Sequence, residues 1–325
     1  MIRLIVIRDS FGRSVDYLRI SVTDRCDERC LYCRPAGYSG WAPRSEHLTA
    51  EEIGRVVEAA VRLGFRTFRI TGGEPLLRAD VVEICRTVAG IRGVESLALS
   101  TNGTRLAGSA KALRQAGVAS VNISLDALDT GLYRRMTGGD LTAVREGIDV
   151  ARECFSSVKL NCVLIRGVNE SEYVPLVHQA AEWQIPVRFI ELMPLSRTVG
   201  VTPENFLPVG EVERRLGGLG KWSEASVVGR GPARYRRLDP PGAVVGFIGA
   251  LTTPGFCESC NKVRLTADGK LRPCLGRHGE VDLRDALRSG GDPEALLRAS
   301  IDNKPEAHEF LAAYEPLRPM TAIGG

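Results

Sequence analysis

Residues 18–33 of this 325-residue chain read LRISVTDRCDERCLYC. The stretch begins with an apolar, β-branched run, Leu18–Val22, which predicts a strand, and it ends with three cysteines, Cys26, Cys30 and Cys33. Three thiolates are one fewer than the usual set for structural zinc or for a closed iron–sulfur cluster. A cube of four irons held by three cysteines keeps one iron open, and that iron can bind a small molecule.

A second group of three cysteines lies near the other end of the chain. Cys257 and Cys260 are followed, after thirteen residues, by Cys274. The turn signal Asp268-Gly269 between two apolar runs predicts a hairpin that returns Cys274 to its partners. We call the two groups the first and second triads. Two such triads in one chain predict two metal centres that handle different small molecules.

Zinc is an alternative at both triads, because a histidine or carboxylate elsewhere can complete a set of three cysteines. The chain has only four histidines, but His278 follows Cys274 by four residues, so a zinc site with one histidine stays open there. Disulfides are disfavoured because the nine cysteines are odd in number and no secretory signal is recognisable. The remaining cysteines, Cys85, Cys154 and Cys162, are predicted to be buried free thiols.

Composition sets the outer limits of the interpretation. The chain is 44% hydrophobic and 25% charged, which is typical of a globular protein with a sizeable core. Its length predicts about two domains. The net charge of +4 is too small to indicate nucleic-acid binding, and no run approaches the roughly 20 apolar residues of a membrane span. We therefore expect a cytoplasmic protein that binds neither nucleic acid nor membrane.

Strands and helices alternate over the first 190 or so residues, which predicts parallel strands with right-handed crossovers. Six such units predict an α/β fold with an incomplete (β/α)6 TIM-like barrel. The predicted strands are Leu18–Val22, Phe65–Thr71, Ser96–Ser100, Val121–Leu125, Val158–Ile165 and Val187–Leu192.

The pattern changes after Met193-Pro194. Leu195–Pro208 resembles a linker, a short helix follows at Val209–Leu216, and the sequence beyond is rich in strand signals, the first of them at Ser226–Val228. We predict two domains: residues 1–195 as the partial barrel, and residues 196–325 as a smaller α+β domain that closes its open side.

Five basic residues lie within the apolar sequences of predicted strands. A buried charge is costly unless it is paired, although one long side chain can reach solvent. Five on separate strands predict a cationic lumen around a polyanion such as a triphosphate. These residues are Arg19, Arg69, Lys159, Arg188 and Arg264.

The second strand ends in Thr71-Gly72-Gly73-Glu74-Pro75, where two glycines permit close approach of a ligand and Glu74 offers a carboxylate to an amine. Beside the first triad, this motif resembles the radical S-adenosylmethionine superfamily. Three further motifs narrow the resemblance to the MoaA family, the GTP 3′,8-cyclases of molybdenum cofactor biosynthesis, over residues 12–325. They are Ser100-Thr101-Asn102-Gly103, Asn122-Ile123-Ser124-Leu125-Asp126 and the segment 257–270.

The resemblance implies a reaction and its cofactors. The first triad would hold a [4Fe–4S] cluster that binds S-adenosyl-L-methionine and cleaves it to a 5′-deoxyadenosyl radical, and the second triad would hold a [4Fe–4S] cluster that binds the guanine of GTP. The radical abstracts the ribose 3′ hydrogen, and the sugar radical attacks C8 of the base. Implied cofactor contacts are Tyr32, Gly73, Glu74, Ser124 and Met193; implied substrate contacts are Arg19, Arg69, Ser100, Lys159, Arg188, Lys262, Val263 and Arg264.

The terminal Gly324-Gly325 and Arg264 are implied to act in catalysis. Two apolar residues precede the glycines and could dock the tail against the barrel, so that residues without side chains enter a narrow channel. The resemblance also implies a one-electron donor of the ferredoxin or flavodoxin type and the next enzyme of the molybdopterin pathway as partners. The oligomeric state stays open, with a homodimer as one expectation.

Two departures from the family pattern concern the substrate and cluster regions. Asp27 stands where members commonly have Asn, and Thr67 stands where they often have Lys, a loss for which Arg66 could substitute. Rival functions are a peptide-modifying radical maturase, an iron–sulfur electron carrier and a zinc module that binds nucleic acid. Maturases usually carry more C-terminal cysteines than this chain, which has none after Cys274.

Overall fold

The structure is a computed structural model that describes residues 7–35, 37–196, 198, 202–312 and 314–325. The predicted linker Leu195–Pro208 lies partly outside these residues, and so does most of the N-terminal segment in which no secretory signal was recognised.

Six parallel strands form the centre of the sheet, in chain order, and confirm the predicted partial barrel. They are β1 (Tyr17–Ser21), β2 (Thr67–Thr71), β3 (Ser96–Thr101), β4 (Ser120–Ser124), β5 (Ser157–Leu164) and β6 (Val187–Glu191). The helices between them are α1 (Ala50–Arg62), α2 (Val81–Gly90), α3 (Leu106–Gln115), α4 (Thr130–Thr137), α5 (Leu141–Cys154) and α6 (Tyr173–Trp183).

Local sequence explains where these helices begin. Thr49 and Glu52 form the predicted capping box of α1, whose buried face packs on the sheet. Helix α4 was not predicted from the sequence, although Asp129 caps its first turn by accepting from the Leu132 N–H and Gly138 ends it with a φ of 69°. This extra helix gives the β4–β5 connection two helices, and its last turn contacts the first triad.

The C-terminal residues extend the same sheet at both edges. The strands β9 (Ala243–Ile248) and β10 (Lys262–Leu265) pair in parallel with β6 and β1. Antiparallel strands follow at each edge, and the described strands form one open sheet of twelve. These outer strands are β7 (Lys221–Glu224), β8 (Arg234–Asp239), β11 (Lys270–Arg272) and β12 (Val281–Asp282).

One detail of the C-terminal prediction is corrected by this arrangement. The strand predicted at Ser226–Val228 is wrong, because β7 ends at Glu224 and Val228 is 88% exposed. The strands of the α+β region pair with the edge strands β1 and β6 of the barrel and so continue its sheet. The domain division at residue 195 stays a proposal. The predicted hairpin is confirmed: β10 and β11 pair antiparallel.

The remaining helices are short. They are α7 (Val209–Leu216), α8 (Arg284–Arg288), α9 (Pro293–Asp302) and α10 (Met320–Ile323). In the described part of the chain, no helix is long and apolar enough to cross a membrane. Cys85 and Cys162 are buried as predicted, whereas Cys154 at the end of α5 is only partly buried, which corrects the third of these predictions.

Side chains of the barrel strands alternate between two faces. Leu18 and Ile20 of β1 are fully buried in the apolar layer between the sheet and its helices. Arg19 and Ser21 therefore point to the opposite face, which is the lumen of the partial barrel. The polar side chains on this face form the candidate site.

Candidate functional site

The loop that carries the first triad is held directly against the end of β2. The N–H of Gly73 donates to the Thr23 carbonyl, and the N–H of Glu74 donates to the Arg25 carbonyl, both at 2.8 Å. A Cβ placed on Gly73 would stand 2.4 Å from the Arg25 oxygen. The second glycine is therefore required by close backbone packing behind Cys26.

Glu74 links the ends of β2 and β3. Its carboxylate is fully buried and accepts hydrogen bonds from the Asn102 N–H at 2.7 Å, the Thr101 hydroxyl at 2.8 Å and the Leu76 N–H at 3.0 Å. Burial nevertheless raises the pKa of Glu74 to about 7. These contacts give the carboxylate a structural role; its predicted contact with an amine stays a prediction.

Tyr32 ties the first triad to β4. Its hydroxyl donates to Asp126 at 2.7 Å, and the other oxygen of Asp126 accepts from the Val163 N–H at 2.8 Å. Burial raises the pKa of Asp126 to about 6. Ser124 lies at the end of β4 and Met193 just after β6, so the predicted cofactor contacts all follow the carboxyl ends of strands.

The thiols of the first triad lie in an environment that favours their neutral form. Burial is the largest cause, and it raises the pKa of Cys33 to about 12 and that of Cys30 well above its usual value. The charge of Cys33 also raises the pKa of Cys26, and the charges of Cys33 and Cys26 raise the pKa of Cys30, so the three sulfur atoms lie near one another. Such a group ionises readily only when positive charge, as from bound iron, offsets the thiolates, so its donor set fits a cluster.

The second triad has a different environment. The Cys260 N–H donates to the Cys257 carbonyl at 3.1 Å, and β11 returns Cys274 to the same end of the sheet. Burial alone would raise the pKa of Cys260, but the charges of Lys304 and Lys262 lower it to about 7. The second triad therefore differs from the first in that nearby ammonium charges favour the thiolate form of one of its cysteines.

Neither triad is arranged as a site for a single ion. Among the described residues, no group of three or more His, Cys, Asp or Glu side chains is placed to hold one metal. The ring of His278 stacks on Tyr314, with 5.2 Å between the ring centres. The six cysteines stay predicted cluster ligands.

The lumen between the triads carries a row of cations in register. Arg19 of β1 lies opposite Arg264 on one side and Arg69 on the other. Lys159 and Arg188 extend the row on β5 and β6, and Lys262 begins β10. We call these six side chains the lumen cations. Among the described ion pairs and hydrogen bonds, none joins a lumen cation to a carboxylate.

Several polar atoms of the lumen cations have no partner. The Nε atoms of Arg19, Arg188 and Arg264 are buried without a hydrogen bond in the described structure. Burial, followed by the charge of Arg264, lowers the pKa of Arg19 to about 9, and burial with neighbouring arginines lowers that of Lys159 to about 8. Concentrated cations without counter-charges indicate an anion-binding site.

Tyr17 is a lumen residue that the sequence analysis missed. Its hydroxyl accepts a hydrogen bond from Arg69 Nε at 2.5 Å, and Lys262 Nζ lies 5.6 Å from the centre of its ring. The predicted contact Ser100 accepts from Arg69 Nη1 at 3.2 Å. The alternation of β1 could have identified Tyr17, which lies two residues before Arg19.

Val263 differs from the other predicted substrate contacts. It pairs in register with Leu18, and both side chains are fully buried in the apolar core. Only its backbone therefore remains for a contact in the lumen.

The two triads lie at opposite ends of the lumen. Cys26 follows the carboxyl end of β1, whereas Cys260 precedes the amino end of β10, its parallel neighbour. A strand of five residues is roughly 15 Å long. Lys262, Arg264 and Arg19 line the space between, so a ligand the size of a nucleotide could reach both ends.

The C-terminal tail enters the lumen from the side of the first triad. The Met320 N–H donates to the Cys33 carbonyl at 3.2 Å, and the Thr71 hydroxyl donates to the Gly325 carbonyl. Gly324 has a φ of 89°, and a Cβ there would stand 2.8 Å from Ser21 Cβ. Since Ser21 and Thr71 lie two residues beyond Arg19 and Arg69, the tail lies one layer above the arginines.

The departures from the family pattern have local explanations. Asp27 accepts hydrogen bonds from Asn102 at 2.8 Å and Arg105 at 3.0 Å, and so joins the first-triad loop to the end of β3. Arg66 donates to the carbonyls of Val61 and Phe65. Arg66 is therefore committed to the end of α1 and does not replace the lysine missing at Thr67.

The chain is similar to known proteins over nearly its whole length. Residues 20–180 match the family profile described as Radical SAM superfamily, and residues 185–310 match Molybdenum Cofactor Synthesis C. A GTP 3′,8-cyclase of Pelotomaculum thermopropionicum is 42% identical over 98% of this chain and 100% of its own length. One from Pseudomonas putida is 43% identical over 98% of this chain and 97% of its own.

A solved structure gives the same fold at low identity. SuiB of Streptococcus suis, bound to S-adenosylmethionine, superposes with a TM-score of 0.63 at 14% identity, over 88% of this chain and 68% of its own. At that identity the likeness concerns the fold alone.

Proposed function

We propose a function from the premise that this chain belongs to the GTP 3′,8-cyclase family, within the radical S-adenosylmethionine superfamily. The chain cyclises GTP to (8S)-3′,8-cyclo-7,8-dihydroguanosine 5′-triphosphate, a step of molybdenum cofactor synthesis. Its cofactors are S-adenosyl-L-methionine and two [4Fe–4S] clusters, one at each triad.

The observation that carries this proposal is the unneutralised row of cations between two cysteine triads. A triphosphate supplies the missing negative charge and accepts hydrogen bonds from the buried Nε atoms of Arg19, Arg188 and Arg264. Such bonds join two ionised groups and are stronger than bonds between neutral groups. A polyanion of this size also fits the span between the two triads.

When bound, the first cluster and its cofactor supply a 5′-deoxyadenosyl radical, and the second cluster supplies an open iron for the purine base. Tyr32 and Gly73 fix the loop of the first triad, and Ser124 and Met193 lie at or just after the ends of β4 and β6, where they would border the bound cofactor. Together these residues would orient the cofactor toward the lumen.

The lumen cations orient the nucleotide. Lys262 and Arg264 follow the second triad on β10, so a base held at that triad leaves its phosphates beside Arg19, Arg69 and Lys159. The buried tail with Gly324-Gly325 covers the lumen on the side of the first triad and excludes water from the reacting sugar. The tail lies close to Arg19 and Arg69, which supports a role of the tail in holding these arginines in place for the reaction.

We further propose that a one-electron donor of the ferredoxin or flavodoxin type reduces the first cluster. The next enzyme of molybdopterin synthesis would take up the cyclised nucleotide. Both partners follow from the chemistry of the proposed reaction.

Anaerobic turnover tests the proposal. Protein incubated with GTP, S-adenosylmethionine and a reductant should release 5′-deoxyadenosine and a cyclised nucleotide in equal amounts. Brown protein with about eight irons per chain is expected from two cubane clusters. Colourless protein with near-stoichiometric zinc would refute the assignment, and cofactor cleavage driven by a peptide but not by GTP would favour the maturase alternative.

A further inference from the structure

A buried lysine at the second triad has no carboxylate partner among the residues that the structure describes. Lys304 follows α9 and is only 3% exposed. Its ammonium donates to the Cys260 sulfur at 3.4 Å, to the Lys262 carbonyl at 2.9 Å and to the Pro273 carbonyl at 2.7 Å. All three donors of the ammonium are thus used, and all three acceptors flank the second triad.

The acceptors satisfy the hydrogen bonds of Lys304 but not its charge. Two are neutral carbonyls, and the third is a sulfur that carries charge only as a thiolate. Burial of an unpaired ammonium is costly, so this site favours a negatively charged group beside Cys260. A cubane held by three thiolates is such a group, because its net charge is negative.

The residues after Lys304 also turn toward the triad. The backbone of His308 lies beside the Cys257 thiol, and the His308 ring is fixed by a contact of 2.7 Å between Nε2 and the Ala250 carbonyl. We call Lys304–His308 the clamp segment. Its two ends thus lie beside Cys260 and Cys257, the two cysteines that precede β10.

Arg13 holds the clamp segment in place. Its guanidinium donates to the carbonyls of Glu306 and Pro305, both at 2.6 Å, and to the carbonyl of Cys257 at 3.0 Å. Asp9 fixes that guanidinium through an ion pair of 2.6 Å. The clamp segment and the triad are therefore bonded to the same rigid group, which fixes Lys304 relative to Cys260.

We propose that Lys304 is a positioning residue for the second cluster. It holds Cys260 by a charged hydrogen bond, and its positive charge makes the cluster easier to reduce. The inference rests on the proposed function, because it requires a cluster at the second triad. Reduction adds negative charge to the cluster, and a fixed ammonium stabilises that charge. Hydrogen bonds to cluster sulfurs are known to tune reduction potentials in this direction.

Three substitutions separate charge from hydrogen bonding. Lys304→Arg keeps charge and donors, Lys304→Gln keeps a donor without charge, and Lys304→Met removes both. Lys111→Met is the matched control, because Lys111 is exposed on α3. Iron content and the midpoint potential of the second cluster would be measured in the whole protein, by anaerobic redox titration followed by electron paramagnetic resonance. Added S-adenosylmethionine would shift the signal of the first cluster and so distinguish the two.

The Gln and Met variants should be harder to reduce by at least about tenfold, which is a shift of about −59 mV for a one-electron couple. The Arg variant and the Lys111→Met control should stay near the wild-type potential. Loss of the second cluster from the Met and Gln variants, with retention in the Arg variant, would also support the proposal. Full iron content with an unchanged potential in the Gln and Met variants would overturn it.

The same measurements separate this inference from the proposed function. Wild-type protein with only four irons per chain would contradict the second cluster itself. Wild-type protein with eight irons, in which no Lys304 variant shifts a potential or loses iron, would contradict the role of Lys304 alone.

Discussion

Gly73→Ala should destabilise the protein and release iron from the first triad. The new Cβ would lie 2.4 Å from the Arg25 oxygen and 2.7 Å from the Asp24 oxygen, and both are backbone atoms. Ordinary contacts need about 1 Å more, so either the end of β2 or the triad loop must retreat. Retreat strains the two hydrogen bonds that Gly73 and Glu74 donate to the loop.

The expected cost can be worked out from these contacts. Overpacking costs about 1–3 kcal/mol, and each of the two hydrogen bonds contributes about 0.5–1.5 kcal/mol. The free energy of unfolding should therefore fall by about 2–6 kcal/mol, where the upper end applies if both hydrogen bonds are lost as the loop retreats. Retreat of the loop would also move Cys26 away from its partners.

Gly108→Ala is the matched control. Gly108 lies inside α3, is exposed, and has no atom within 4 Å of a new Cβ. Alanine there should stabilise the protein by about 0.5–1 kcal/mol, because glycine is the poorer helix former. The two variants thus carry the same chemical change with opposite expected signs.

Denaturant unfolding of both variants, with iron analysis of anaerobically prepared protein, tests the reasoning. Urea midpoints should fall for Gly73→Ala and rise slightly for Gly108→Ala. Gly73→Ala protein with wild-type stability and full iron content would refute the argument that this glycine is required behind Cys26.

Other variants test the division of labour within the site. Cys30→Ala should abolish cleavage of S-adenosylmethionine, whereas Cys274→Ala should keep slow, uncoupled cleavage and lose GTP cyclisation; loss of the same single step in both would contradict separate roles. Arg264→Ala should weaken GTP binding about tenfold to a hundredfold and guanosine binding less, and equal losses would show that its side chain does not face the phosphates. GTP affinity should decrease as the pH rises through about 8, because Lys159 loses its proton there in the free protein. Calorimetry should show that GTP affinity depends less on pH in the Lys159→Met variant. Deleting Gly324-Gly325 should preserve iron content and thermal stability yet strongly reduce cyclisation. Wild-type turnover by the truncated protein would show that the tail has no role in the reaction.

The sequence predicted the six barrel strands because each is a short apolar run between helical segments of strong periodicity. It missed α4, which has only eight residues, although its cap residues were readable. It also placed a strand at Ser226–Val228, because β-branched residues there resemble a strand that the neighbouring sheet edge does not accept.

Some residues of the candidate site could likewise be predicted from the sequence, and others could not. Cysteine spacing and cations inside apolar strands are local patterns, so Cys26, Arg19 and Arg264 could be identified from the chain alone. Lys304 could not, because a lysine after a helix is a common feature, and Tyr17 was overlooked because the predicted first strand began only at Leu18. Their significance comes from contacts with residues far away in the sequence.

The sequence by itself determined the strand–helix order, the two triads and the family, since each is encoded in residue type and spacing. Only the tertiary structure decided the rest: β10 lies beside β1, Arg264 comes into register with Arg19, and the tail reaches Ser21. Glu74, which the motif suggests as a carboxylate for an amine, also accepts hydrogen bonds from Thr101 and Asn102 at the end of β3. The physical reason is that hydrogen-bond pairing between distant segments sets which side chains share a face. The spacing of residues along one segment does not tell which other segment pairs with it.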